Sequence, residues 1–187
     1  HKDIDAVLDN GIVDYAREMK EKGVVRAIGA SAHNPETARR AVEEGLVEML
    51  MFSINPAFDL MRGRGNIEEV VTDFTVSGNT LADPARAELY RLCESRGVGI
   101  TVMKALGGGK LVSAEHSPFA QPLTVPQCIH YALSMPSVAS VMVGCKTRDE
   151  VEGAVRYLEL SPAEKEYAPV LNTIRTDFKG NFVFRTH

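Results

Sequence analysis

Four short apolar, β-prone runs alternate with helical patterns along this chain of 187 residues. The runs span residues 24–31, 47–54, 98–104 and 138–143, and apolar residues recur at helical spacing in the segments before and after them. Near-continuous apolar strands joined by helices are typical of parallel βα units, in which helices bury the sheet. Four strands cannot close an eight-stranded barrel, so the pattern predicts an α/β fold that forms part of a (β/α)8 TIM barrel.

Polar residues followed by proline mark where several helices begin. Asn34, Asp83, Thr124 and Ser161 each precede a proline by one or two positions. This is the pattern of a capping residue with proline in the first helical turn. The last of these signals predicts a helix that runs from Ser161 to about residue 174.

Residues 57–80 interrupt the alternation and predict a loop excursion above the sheet. Glycines and scattered charges replace the apolar pattern there, apart from a short helix predicted around residues 67–71. Irregular segments of this length inside compact domains are commonly lids or binding loops. A tolerated surface insertion fits the same composition, and the sequence leaves both interpretations open.

Composition excludes several classes of protein. The net charge of -4 gives no support to nucleic-acid binding, and no apolar run is long enough to span a bilayer. Cys93, Cys128 and Cys145 are too far apart for a disulfide framework or a zinc knuckle. These features predict a cytoplasmic protein that binds neither nucleic acid nor membrane.

A lysine and a glycine-rich turn end the third apolar run. Residues 98–104 predict a buried strand that ends at Lys104, and Gly107, Gly108 and Gly109 follow it. Parallel sheets and barrels bind their ligands at the carboxyl ends of the strands. The residues alone leave open whether this segment is a ligand-binding turn or a flexible loop.

Four segments together carry a resemblance to a known family. They are Arg26–Asn34 (RAIGASAHN), Ser53–Pro56 (SINP), Met103–Gly108 (MKALGG) and Gly144–Val151 (GCKTRDEV). In this order they resemble the C-terminal half of an aldo-keto reductase barrel, and most closely the bacterial branch that often carries a C-terminal iron–sulfur segment. The resemblance covers residues 1–187 as part of one barrel domain. It implies a nicotinamide cofactor, a small carbonyl substrate and the reduction of aldehydes or ketones to alcohols by hydride transfer.

The resemblance implies an incomplete catalytic tetrad. The family uses an aspartate, a tyrosine, a lysine and a histidine from the first four strands, and only the histidine has a counterpart here, His1. A first residue without a catalytic role is the alternative interpretation of His1. The chain begins at this histidine rather than at a methionine, which predicts a piece of a larger protein with little or no activity of its own.

The resemblance also places the nicotinamide end of the cofactor. Ser31 matches a serine that holds the carboxamide in the family, whereas Ala32 replaces the usual asparagine and Met51 replaces a glutamine. Met103 takes the position of an aromatic residue that stacks on the nicotinamide, so a softer sulfur contact is expected there.

The phosphate and adenosine ends of the cofactor correspond to later segments of the chain. Leu106, Gly107 and Gly108 match the turn around the pyrophosphate, where Lys104 adds positive charge. The segment that grips the adenosine end in the family corresponds to Gly144, Lys146, Thr147, Arg148 and Glu150. Two cations beside a ribose favour its 2′-phosphate, so NADP is predicted over NAD. A solvated helix start with ordinary surface charges is the alternative.

The C-terminal residues 178–187 resemble the lead-in to the iron–sulfur segment of that branch. Phe182 and Arg185 stand where cysteines would be, and no cysteine follows Cys145. Such clusters need several thiolates, so no iron–sulfur cluster is predicted in this chain.

Two other functions also fit the residues. A Schiff-base aldolase or lyase would use Lys104 as its nucleophile, and a non-catalytic regulatory relative would bind NADP without turnover. His33 ends a predicted strand; a capping or surface role is expected for it, and a side chain that faces the pocket is the alternative. An open half-barrel exposes strand edges, which predicts self-association or association with a missing N-terminal half.

Overall fold

The computed structural model describes residues 2–60 and 83–173. Its centre is a sheet of four parallel strands whose spatial order follows the chain. The strands are β1 (Gly29–Ala32), β2 (Met49–Ser53), β3 (Gly99–Met103) and β4 (Val138–Val141). This is the arrangement of consecutive strands in a (β/α)8 barrel, and it confirms the predicted fold class.

Helices precede, join and follow the strands. They are α1 (Lys2–Asp9), α2 (Ile12–Glu21), α3 (Pro35–Glu43), α4 (Pro56–Leu60), α5 (Pro84–Arg96), α6 (Val125–Leu133), α7 (Arg148–Val155) and α8 (Ala168–Leu171), with 3-10 turns at Gly107–Gly109, Arg156–Leu158 and Ala163–Lys165. Within the described ranges, every helix is too short or too polar to cross a membrane.

The predicted capping residues begin three of these helices. The Asn34 side chain accepts hydrogen bonds from the backbone N–H groups of Glu36 at 2.8 Å and Thr37 at 3.1 Å. Asp83 accepts from the second residue of α5, and Thr124 forms a reciprocal capping box with Gln127. The local signals therefore fix where α3, α5 and α6 start.

The two faces of the sheet differ in burial. Leu50 and Phe52 of β2 and Ile100 and Val102 of β3 are fully buried, in one cluster with side chains of α3, α5 and α6. Side chains alternate between the faces of a strand, and Met49 on the other face is 49% exposed. Among the described residues, the face that lines the interior of a closed barrel is therefore uncovered.

β1 is shorter than predicted, because it begins at Gly29 and not at residue 24. The backbone N–H of Ile28 donates to the Glu48 carboxylate at 3.0 Å. Val24 and Val25 are 68% and 38% exposed. The Glu48 side chain therefore accepts the hydrogen bond that Ile28 would otherwise donate to a neighbouring strand. The backbone pairing of β1 with β2 begins at the next residue, Gly29.

The predicted helix over residues 161–174 is wrong in its length. The N–H and hydroxyl of Ser161 donate to the Glu164 carboxylate at 2.9 and 2.7 Å, as the capping signal requires. A 3-10 turn and the short α8 then form in place of one helix. Pro169 explains the break, since it has no N–H to donate and its ring collides with the preceding turn of a continuous helix.

The predicted excursion does not begin at residue 57. Residues 57–60 belong to α4, in which Ala57, Asp59 and Leu60 are buried. These residues are part of the core and not of a loop above the sheet. Residues 61–80, with the helix predicted at 67–71, lie outside the described residues.

Candidate functional site

The carboxyl ends of three neighbouring strands bring His33, Ser53 and Lys104 together. Ala32 lies opposite Phe52, and Ser53 lies opposite Met103 in the parallel register, so the next residues of β1 and β3 meet beside Ser53. His33 Nδ1 lies 3.1 Å from Ser53 Oγ, and Ser53 is only 3% exposed. The parallel sheet thus groups an imidazole, a hydroxyl and an ammonium at the end where barrels bind ligands.

Lys104 adopts a backbone conformation that is rare for a residue with a side chain. Its φ is 58°, in the left-handed region that costs a non-glycine residue free energy. Asn55, which is fully buried, holds this turn: its Nδ2 donates to the Lys104 carbonyl at 2.9 Å and its Oδ1 accepts from Phe58 N–H at 3.0 Å. Such strain persists where the surroundings fix the conformation, and it is concentrated at functional sites.

The electrostatic surroundings keep His33 neutral. Burial lowers the pKa of the imidazole below its ordinary value of 6.5, and the positive charge of Lys104 lowers it further. The lowered pKa favours the uncharged imidazole at neutral pH. Asn34 and not His33 caps α3, whereas the expected surface position of His33 is confirmed; its contact with Ser53 is a feature that sequence reasoning missed.

Backbone hydrogen bonds within the segment stabilise the glycine turn after β3. Gly107, Gly108 and Gly109 have φ values of 58°, 65° and 86°, which glycine adopts without cost. The N–H of Gly107 donates to the Lys104 carbonyl at 2.9 Å, and that of Gly109 donates to the Leu106 carbonyl at 3.0 Å. The predicted pyrophosphate contacts of Leu106, Gly107 and Gly108 lie in this turn, next to Lys104, and stay predictions.

The segment after β4 begins α7 with a capping box. Thr147 Oγ1 accepts from Glu150 N–H at 3.2 Å, and the Glu150 carboxylate accepts from the N–H groups of Lys146 and Thr147. These backbone hydrogen bonds lower the pKa of Glu150. Arg148 Nε donates to Glu152 at 2.7 Å, with 90% of the arginine side chain exposed. The structure gives Glu150 a capping role, whereas the adenosine contacts predicted for this segment, including Gly144, stay predictions.

The predicted nicotinamide contacts lie on the uncovered face. Ser31 of β1 is opposite Met51 of β2, which is opposite Thr101 of β3. Ser140 of β4 extends the row, because its hydroxyl donates to Thr101 Oγ1 at 3.0 Å. Met103 ends β3 on the same face and is half-buried. His1 lies outside the described residues.

A buried ionic network holds the end of β2, which carries Ser53. Arg86 of α5 donates to Asp59 of α4 at 2.6 Å and to the carbonyl of Ser53. Tyr90 and Tyr131 donate their hydroxyls to Asp59 at 2.8 and 2.9 Å. Asp59 and Tyr90 are fully buried, and Arg86 and Tyr131 nearly so. The network therefore ties the end of β2 to three helices.

The ionisation states of Asp59, Tyr90 and Tyr131 depend on one another. Burial raises the pKa of the Asp59 carboxyl, while the charge of Arg86 and the donated hydrogen bonds oppose that rise. Burial and the nearby Asp59 charge raise the pKa of Tyr90 and Tyr131 well above the ordinary value. Both tyrosines accordingly stay protonated and donate to a carboxylate that is paired with Arg86.

The five tyrosines of the chain lie on or beside helices and not on the strands. Tyr15 is on α2 and 61% exposed, and Tyr90 and Tyr131 belong to the buried network, where their hydroxyls already donate to Asp59. Tyr157 and Tyr167 both contact His130 of α6. In the same described ranges, no three His, Cys, Asp or Glu side chains are grouped as a metal site requires.

Comparison with solved structures identifies a related fold. The chain is similar to an aldo-keto reductase, AKR11C1 of Bacillus halodurans, in its apo form (18% identity, TM-score 0.56) and in its holo form (18% identity, TM-score 0.57). The matches cover 88% of this chain but 58% and 57% of the reductase chains, so this chain spans less than two thirds of their length. No model of a known protein family and no curated protein matches the sequence. The likeness confirms, at the level of the fold, the predicted resemblance to part of an aldo-keto reductase barrel.

Proposed function

We propose that this chain supplies the cofactor-binding part of an aldo-keto reductase barrel that reduces aldehyde or ketone carbonyls with NADPH. The observation that supports this most is the gathering of the predicted cofactor residues at one end of a parallel sheet whose fold matches part of such a reductase. Ser31 is the last residue but one of β1, Met103 ends β3, and the glycine turn follows it. The function of the whole barrel follows from the resemblance and not from the fold alone.

The donors at this end of the sheet suit a dinucleotide. Ser31 and Met103 would bind the nicotinamide, and the turn at Gly107–Gly109 would approach the pyrophosphate closely because it has no side chains in the way. Lys104 adds a positive charge beside the turn. When bound, the cofactor supplies the hydride, and the chain's own residues bind and orient it.

The preference for NADPH is expected to depend on Lys146 and Arg148. Replacing both with alanine removes the two cations proposed to pair with the 2′-phosphate, and should raise the Kd for NADPH about 10-fold or more. The Kd for NADH should change little, since NADH lacks that phosphate. Titration of cofactor fluorescence with the purified chain measures both constants.

A matched control uses an arginine in the same local setting. Arg39 makes an exposed i,i+4 pair with Glu43 on α3, as Arg148 does with Glu152 on α7. The Arg39→Ala variant should bind both cofactors like the parent chain. Equal losses for NADPH and NADH in the Lys146→Ala, Arg148→Ala variant would contradict the proposed 2′-phosphate contact.

The uncovered face is proposed to pack against further βα units, from a second copy of the chain or from an N-terminal half. Met49 on that face is 49% exposed, Val24 before β1 is 68% exposed, and Met142 after β4 is 55% exposed. Exposed apolar side chains beside open strand edges favour association. Sedimentation velocity should show the 187-residue chain alone as dimers or larger species, and a monodisperse monomer would contradict this.

A further inference from the structure

Two hydrogen-bond donors lie at the carboxyl ends of the strands, on either side of Ser53. Lys104, after β3, contributes an ammonium and His33, after β1, contributes an imidazole, while the buried Ser53 hydroxyl contacts His33 Nδ1. No carboxylate of residues 2–60 or 83–173 lies within 4.0 Å of the Lys104 ammonium. A half-buried cation without a counter-ion is costly to a protein, so the described part of the chain presents a positive site at the ligand-binding end of the sheet.

We propose that Lys104 and His33, with Ser53 orienting the imidazole, bind an oxyanion carried by the carbonyl substrate. The substrate class would be small aldehydes or ketones that also bear a carboxylate or a phosphate, such as 2-oxo acids. That the bound anion belongs to the carbonyl substrate rests on the proposed reductase function. The anion site itself rests on the places of His33 and Lys104 after the strands that flank Ser53 and on the contact between His33 and Ser53.

The arrangement of the site is fixed by groups that do not contact the ligand. Asn55 holds the Lys104 peptide in its left-handed conformation through the 2.9 Å hydrogen bond to its carbonyl. Arg86 donates to the carbonyl of Ser53, which sets the end of β2. Ser53 Oγ in turn engages His33 Nδ1. Donors that are held in place before binding lose little entropy when the anion arrives.

The side chain of His33 is oriented to serve such a ligand. In the tautomer in which Nδ1 accepts from the Ser53 hydroxyl at 3.1 Å, the proton of the neutral ring is on Nε2, which is directed away from the serine and donates to a ligand oxygen. One ammonium with one or two neutral donors is a common way of binding a carboxylate or phosphate. Lys104 as the nucleophile of an aldolase would need an uncharged amine, which a neighbouring bound anion would disfavour.

The test compares an anion with its neutral counterpart. The 187-residue chain, with its histidine rings isotopically labelled, is titrated with pyruvate, with sulfate and with methyl pyruvate at constant ionic strength while NMR follows His33. Pyruvate and sulfate should shift the His33 ring resonances saturably, whereas methyl pyruvate should not. Saturation by sulfate as well as pyruvate identifies a general oxyanion site, and saturation by pyruvate alone identifies a carboxylate site.

Substitutions that the fold should tolerate locate the binding site. Lys104→Asn removes the charge, and asparagine tolerates a positive φ better than most residues, so the variant should fold and bind pyruvate at least about 10-fold more weakly. Lys22→Asn makes the same change at an exposed position on the C-cap of α2 and should leave binding unchanged. His33→Asn should also weaken binding, and in a uniformly labelled sample the backbone resonances of Ser53 and Lys104 follow the residual effect.

Three results would overturn the proposal: equal shifts with pyruvate and methyl pyruvate, no loss of affinity in Lys104→Asn, or borohydride trapping of pyruvate on Lys104. Binding of NADPH to the same samples separates this inference from the proposed function. If NADPH binds and pyruvate does not, the anion site fails and the reductase proposal stands. If pyruvate binds at His33 and NADPH does not, the anion site stands and the cofactor proposal fails.

Discussion

Replacing Asp59 with alanine lowers the free energy of unfolding by about 3–5 kcal/mol, because a buried ion pair is broken from one side. The Arg86 guanidinium then lies in the core with no carboxylate, since its 2.6 Å partner is gone. The hydroxyls of Tyr90 and Tyr131 also lose their common acceptor. Urea denaturation followed by circular dichroism of the purified chain measures the difference.

Two further variants test whether the unpaired buried charge determines the size of this loss. In the double variant Asp59→Leu, Arg86→Met both charges are replaced by apolar groups, and part of the stability should return, while the Tyr90 and Tyr131 hydroxyls still lack their acceptor. Arg40→Met removes the exposed pairs with Asp5 and Glu44 and should have a far smaller effect. A loss below about 1 kcal/mol in Asp59→Ala would contradict the structural role given to the network.

Local and periodic features of the fold were predictable from the sequence. Helical spacing and apolar runs identified all four strands, and Asn34, Asp83 and Thr124 marked helix starts that the structure confirms. Each of these signals acts over a few residues, so a single sequence contains it. The order of parallel strands then followed from the short helical connections.

The contacts that build the site were less predictable because they join distant residues. His33 and Ser53 are 20 positions apart, and Asp59 and Arg86 are 27 apart. Which of many polar residues meet depends on the register of β1 and β2 and on the burial of α4. No periodic pattern in the sequence encodes that register beyond the alternation of faces.

The conformation of Lys104 shows the same limit within a single residue. A lysine gives no signal for a φ of 58°, whereas the neighbouring glycines do. The conformation is imposed by Asn55, which lies on the segment after β2 and is 49 positions away. Sequence reasoning could place Lys104 at the end of a strand, but the strain that distinguishes it arises only from tertiary contacts.

We expect the 187-residue chain alone to reduce carbonyl compounds at least about 100-fold more slowly than ordinary enzymes, because a positioned general acid typically contributes a factor of 10²–10⁴. Reduction of a carbonyl needs a proton on the new alkoxide as well as a hydride. The five tyrosines lie on or beside helices, and burial together with the charge of Asp59 raises the pKa of Tyr90 and Tyr131, whose hydroxyls donate to that carboxylate. His33 is neutral at neutral pH because burial and Lys104 lower its pKa, so it is a poor proton donor there.

Consumption of NADPH with pyruvate and with methyl pyruvate measures this rate, and cofactor fluorescence in the same sample shows whether the site is filled. Bound NADPH with turnover below about 0.01 s⁻¹ would match the expectation, since typical enzymes turn over at about 1–10³ s⁻¹. Turnover above about 1 s⁻¹ would contradict it and would require a proton donor within this chain. The His33→Asn variant then decides whether that donor is His33: loss of the rate with NADPH affinity unchanged would assign the proton transfer to the imidazole, and an unchanged rate would exclude it.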